Sequence, residues 1–123
     1  MSFEFELVPL KAAFTPDDHA AMRAWWEQFP VWTDPAGNIL VFKNDEVRQL
    51  RRERWRNNPG RNDYLTPYVK FFEDGNVQLS VVGDETDPWF HDFVVWCQQR
   101  WPCELRYLGH PVPASELLAG PDD

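Results

Sequence analysis

The sequence predicts an α+β fold: a mixed, mainly antiparallel β-sheet packed by about three helices, in the order β-α-β-α-β-β-α-β. Three observations lead there. "FEFELV" (3–8) alternates apolar and acidic residues with the period of a half-buried strand. "TPDD" (15–18) and "DPWF" (87–90) each open an aromatic-rich run in the manner of a helix start. "EDGN" (73–76) sits between two strand-like runs and reads as a tight Asp-Gly hairpin. Helices interleaved with strands, and no repeat along the chain, indicate helices laid on a sheet.

The elements follow in order. In the first strand Phe3, Phe5 and Leu7 point one way, and Glu4 and Glu6 the other. Thr15 is placed to cap the first helix, Pro16 suits its first position, and Asp17 and Asp18 favour its positive end. Met22, Trp25, Trp26 and Phe29 form the apolar stripe of a helix expected to reach Phe29, before Pro30. "VWTDPAGNILVF" (31–42) reads as a turn at Asp34–Gly37 leading into a strand at Ile39–Phe42. Asn44 or Asp45 caps an arginine-rich second helix, which "NNPG" (57–60) ends. The hairpin follows, and then the third helix, with Asp87 as its cap and Pro88 first inside. Pro102 closes it, and "CELRYLG" (103–109) is the last strand. The chain reads as a single domain over residues 1–123, with 110–123 a Pro-rich tail.

The composition narrows the function classes. The chain has 123 residues and a formal charge of -8. Its N-terminal segment has neither the basic start nor the apolar run of a secretory signal, so a cytoplasmic protein is expected, with no membrane segment. Cys97 and Cys103 fit reduced structural thiols better than a disulfide or a zinc site. The charge is unevenly spread. Residues 48–61 hold six arginines and one glutamate, a local +5, and the rest of the chain carries -13. An acidic body repels a phosphate backbone, which disfavours nucleic acid and favours a cationic partner.

The arginine segment "RQLRRERWRNN" (48–58) leaves two readings open. On a helical projection Val47, Leu50 and Trp55 share a side with Arg51 and Arg54, and Arg48, Arg52 and Arg56 form a neighbouring stripe. In one reading Arg51 and Arg54 border the core and pair with acids elsewhere in the chain. In the other, the stripe of Arg48, Arg52 and Arg56 meets an anion or the acidic patch of a partner.

No catalytic constellation is legible. His19, His91 and His110 share no metal-ligand spacing, no glycine-rich phosphate loop occurs, and no serine stands in a nucleophile motif. Cys97 falls on the apolar stripe of the third helix with Phe90, Phe93, Val94 and Trp101, the place of a core thiol. A non-enzymatic protein without cofactor or metal is expected. The third helix stands out for other reasons. Trp89 and Trp96 flank its stripe one heptad apart, with Asp84, Glu85, Asp87 and Asp92 nearby, and tryptophan ringed by acids suits a basic protein surface.

The acidic, aromatic stretch "VVGDETDPWFHDFVVW" (81–96), in a small, tryptophan-rich, strongly acidic chain, resembles the bacterial immunity proteins that neutralise toxins of polymorphic and interbacterial secretion systems. The resemblance implies a protein that binds a cognate toxin with a basic active-site surface and occludes it. The residues expected at such a contact are Asp84, Glu85, Asp87, Trp89 and Asp92, with Arg48, Arg52 and Arg56 as a second set. Two alternatives stand beside it: a structural or adaptor subunit (a homodimer), and a small anion-binding domain using the arginine helix.

Overall fold

The structure is a computed structural model that describes residues 2–58, 66–83 and 85–119. Its elements are β1 (Phe3–Pro9), α1 (Pro16–Trp26), β2 (Val31–Thr33), β3 (Ile39–Val41), α2 (Asp45–Asn57), β4 (Tyr68–Phe71), β5 (Val77–Val81), α3 (Asp87–Arg100), β6 (Cys103–Tyr107), β7 (His110–Val112) and α4 (Glu116–Ala119). The strands form one seven-stranded sheet, β2-β3-β4-β5-β1-β6-β7, and every pairing described is antiparallel. The fold is α+β, as the sequence predicts.

Alternation decides which face of the sheet meets the helices. Phe5 and Leu7 of β1 pair with Leu79 and Val77 of β5 and point inward, fully buried, as do Ile39, Val41, Val69 and Leu105. Met22 and Trp26 of α1 and Phe90, Phe93, Val94 and Cys97 of α3 close over them in the same core cluster. Each such side chain contributes about 1.5–3 kcal/mol by leaving water. Leu117 of α4 is fully buried against this layer too.

The helix starts are locally determined. Thr15 and Asp18 form a reciprocal capping box on α1, at 3.1 and 2.9 Å. Asn44 caps α2 by accepting the Val47 N–H at 2.9 Å. On α3 the cap position falls on Thr86 rather than Asp87, because Pro88 is tolerated anywhere in the first turn, so Asp87 is the first helical residue. α1 ends at Trp26, three residues short of expectation. The Glu27 and Phe29 N–H groups bond three residues back, and the last turn opens before Pro30.

Two strands escaped the sequence reading. β2 pairs Val31, Trp32 and Thr33 with Val41, Leu40 and Ile39, so Asp34–Gly37 turns a hairpin instead of following a loop. β7 pairs His110, Pro111 and Val112 with Tyr107, Arg106 and Leu105, so the segment read as a tail extends the sheet to Val112 and then packs through α4. Residues 120–123 lie outside the described residues.

The placement of α2 is the main departure. Trp32 alternates with the core-facing Val31 and therefore stands on the opposite face of the sheet. Trp55 of α2 meets it edge-on, with ring centroids 4.7 Å apart. α2 thus lies across the sheet from α1 and α3. Its half-buried side is Val47, Arg48, Arg51 and Trp55; Leu50 is 56% exposed and Arg54 is exposed. Burying the large Trp55 ring on Trp32 turned the helix away from the predicted Leu50 side.

Candidate functional site

On the solvent side of the helical layer, α1 and α3 meet along a seam of half-buried aromatic rings. Phe29, just beyond α1, stacks on Trp89 with centroids 4.8 Å apart and planes at 18°. Further along, Trp25 packs on Trp96 at 6.0 Å, and Trp96 meets Trp101 edge-on at 5.5 Å. Spacing explains the seam: Trp25 and Phe29 are one turn apart, and Trp89, Asp92 and Trp96 stand at i, i+3 and i+7 on one face of α3. These rings flank the stripe that enters the core, so each keeps part of its surface in water.

Charge surrounds the seam unevenly. At its N-terminal end Glu85 and Asp92 are exposed. One oxygen of Asp92 is 3.1 Å from Nδ1 of His91, and its side chain remains 63% exposed. At its C-terminal end the Arg100 guanidinium lies over both Trp96, at 5.0 Å, and Trp101, at 5.4 Å.

The predicted contact residues do not form one surface. Trp89 and Asp92 lie on the seam, and Glu85 is exposed in the turn that leads into α3. Asp87 is 8% exposed and faces inward from the first turn of α3, so it is not part of the acidic rim. Asp84 lies outside the described residues. Arg52 and Arg56 are exposed, but on α2, on the other side of the sheet. Arg48 is half-buried and pairs at 2.8 Å with Asp45 of its own helix. For Arg51, burial and the neighbouring Arg54 charge lower the guanidinium pKa. Arg61 lies outside the described residues.

The open part of the second sheet face is a feature the sequence reading missed. A groove of about 470 Å³ runs there, lined by Glu4, Glu6, Phe72, Gln78, Arg106 and Leu108 among others. Its polar side chains are held by hydrogen bonds within the groove and to its neighbours: Gln78 donates to Glu4 at 3.2 Å, Asn76 to Glu6 at 2.8 Å, and Arg106 to Glu104 at 3.0 Å. Tyr68 hydrogen-bonds to Ser80 and Glu4, and burial, then the Glu4 charge, raise its phenol pKa. Alternation along β1 placed Glu4 and Glu6 outward, but their cross-strand partners come from strands far off in sequence.

Three further residues with chemically versatile side chains, Cys97, Cys103 and His19, are buried. Cys97 and Cys103 are free, buried thiols. Burial pushes both pKa values up, that of Cys103 to about 11, so neither is a ready nucleophile. His19 is buried between Phe71 and Phe14, with Nε2 2.9 Å from the Gly75 carbonyl oxygen, which makes that nitrogen the donor. Among the described residues no group of three His, Cys, Asp or Glu side chains could hold a metal ion, and no helix is long and apolar enough to cross a membrane. No protein-family model and no solved structure matches the chain.

Proposed function

We propose that the protein is a non-catalytic, stoichiometric binder of a cationic protein, and specifically an immunity protein that occludes the active site of a cognate bacterial toxin. The observation that carries this reading is the α1–α3 seam: half-exposed Phe29, Trp89 and Trp96 next to the exposed carboxylates of Glu85 and Asp92, on a chain of net charge -8. Rigid aromatic rings supply contact area at small entropic cost, and acids at the rim steer a basic partner. Arg52 and Arg56 belong to a separate surface and take no part in this contact.

The test is a titration against the partner captured from cells of the native source. Inhibition of the partner's activity should rise linearly and end at one equivalent, and replacing Glu85 and Asp92 by lysine should weaken binding about tenfold or more. Turnover of the partner, or inhibition indifferent to both replacements, rejects the proposal.

A further inference from the structure

Each end of the α1–α3 seam presents an indole packed against a second aromatic ring. At the C-terminal end the Trp96 and Trp101 rings carry a guanidinium, supplied by Arg100 of the same helix. At the N-terminal end the Trp89 ring is backed by Phe29 at 4.8 Å, and Asp92 stands one turn further along the same helix face. The ingredients of an arginine site are present: an indole held rigid from behind and a carboxylate with most of its surface in water. The C-terminal end also carries an arginine. Among the described residues no cation is seen over the Trp89 ring, and the Asp92 carboxylate has the His91 Nδ1 at 3.1 Å.

We infer that the N-terminal end of the seam, Trp89 with Asp92 and Glu85, receives an arginine side chain of the partner. This rests on the reading of the seam as the partner-binding surface and names the chemistry that it selects. A guanidinium stacks flat on an indole while its edge pairs with a carboxylate; an ammonium offers no flat face and holds its water more tightly. The protein's own Arg100 already places a guanidinium over indole rings of the same seam.

The experiment needs no knowledge of the partner. The full chain, labelled with nitrogen-15, is titrated with a short capped peptide containing one arginine and, separately, with its lysine counterpart, while the indole N–H signals are followed. Trp89→Phe, which keeps a ring against Phe29, assigns the Trp89 signal. The expected result is a saturable shift of that signal with the arginine peptide, several-fold weaker binding of the lysine peptide, and loss of the shift in Asp92→Asn. Equal response to both peptides, a shift that Asp92→Asn leaves intact, or no saturable shift at Trp89 overturns the inference. Should that happen while Glu85→Lys/Asp92→Lys still abolishes partner capture, the arginine site is wrong and the seam remains the binding surface. Should the capture also be unaffected, both readings fall.

Discussion

Trp89 lies on Phe29 with the two rings nearly parallel, at 18° and 4.8 Å between centroids. The pair joins the start of α3 to the residue where α1 has already unwound. Both rings are half-buried, so the contact fixes the helices while leaving part of each ring in water. An aromatic pair of this kind contributes about 0.5–1.5 kcal/mol beyond its buried area. It also holds Trp89 in one orientation, so a partner binding there would meet it without the entropic cost of ordering a free ring.

Gly75 is where the hairpin between β4 and β5 docks on the chain before α1. Its φ is +98°, and a Cβ there would stand 2.9 Å from the Phe14 carbonyl oxygen, a backbone atom that cannot swing aside. Its own carbonyl oxygen accepts the His19 bond. Gly75→Ala should therefore destabilise the fold by about 2 kcal/mol or more, through strain, clash and a disturbed buried hydrogen bond. Gly83→Ala, at φ +70° with open space around the new methyl, should cost about 1–2 kcal/mol from backbone strain alone. Urea unfolding of the two variants checks the order, and equal losses would refute this account of the turn.

The β6–β7 turn gives the opposite expectation. Leu108 and Gly109 both have positive φ, +51° and +81°, between the paired residues Tyr107 and His110. Asparagine and glycine suit the first position of such a two-residue hairpin; leucine does not. Leu108 is also 79% exposed, so little packing is lost by replacing it. Leu108→Asn should stabilise the protein by about 0.5–1 kcal/mol, seen as a higher urea midpoint at unchanged slope. A lower midpoint would show that Leu108 makes a contact that outweighs its strain.

Both thiols resist ionisation in the folded state, Cys97 through burial first and then the nearby Cys103, and Cys103 through burial. The unfolded chain loses these protons near pH 9, where the folded protein still holds them. The stability from the protonated thiols is therefore fully present below about pH 9 and is lost as pH rises towards about 11, by up to about 1.4 kcal/mol per pH unit for each thiol. Urea midpoints taken from pH 8 upward should fall in that window, and less steeply in Cys97→Ala than in the wild type. Flat stability across the window would contradict the burial of the thiols.

Much of the fold was legible because local rules and tertiary structure agree. Phe5 and Leu7 alternate with Glu4 and Glu6, Thr15 and Asn44 cap, and Asp74-Gly75 turns a hairpin. The elements that escaped depend on distant partners. Val31–Thr33 is three residues long, too short for a period, and becomes a strand only because β3 folds back on it. His110–Val112 contains Pro111, which is tolerated at a sheet edge but argues against a strand when read alone. The orientation of α2 could not be read without Trp32, since its side is chosen by the Trp32–Trp55 contact rather than by the apolar pattern of the helix.

The candidate site was legible in one part and scattered in another. Trp89 and Asp92 share a face because helical spacing alone brings them together, and Glu85 stands in the turn just before the helix. Asp87 has the same chemistry but the wrong helical angle, and its burial followed. The separation of Arg52 and Arg56 from the acidic seam follows from the sheet lying between α2 and α3, a relation that no local pattern encodes.

The account's central claim is that the acidic end of the seam recognises a cationic partner. The most direct measurement immobilises three versions of the protein and compares what each retains from cells of the native source: the wild type, Glu85→Lys/Asp92→Lys, and Glu46→Lys/Glu53→Lys as a control of equal charge change on α2. The account predicts one basic protein held in equal amount by the wild type and the control, and lost from the seam variant. Equal retention by all three, or no retained partner, would contradict it.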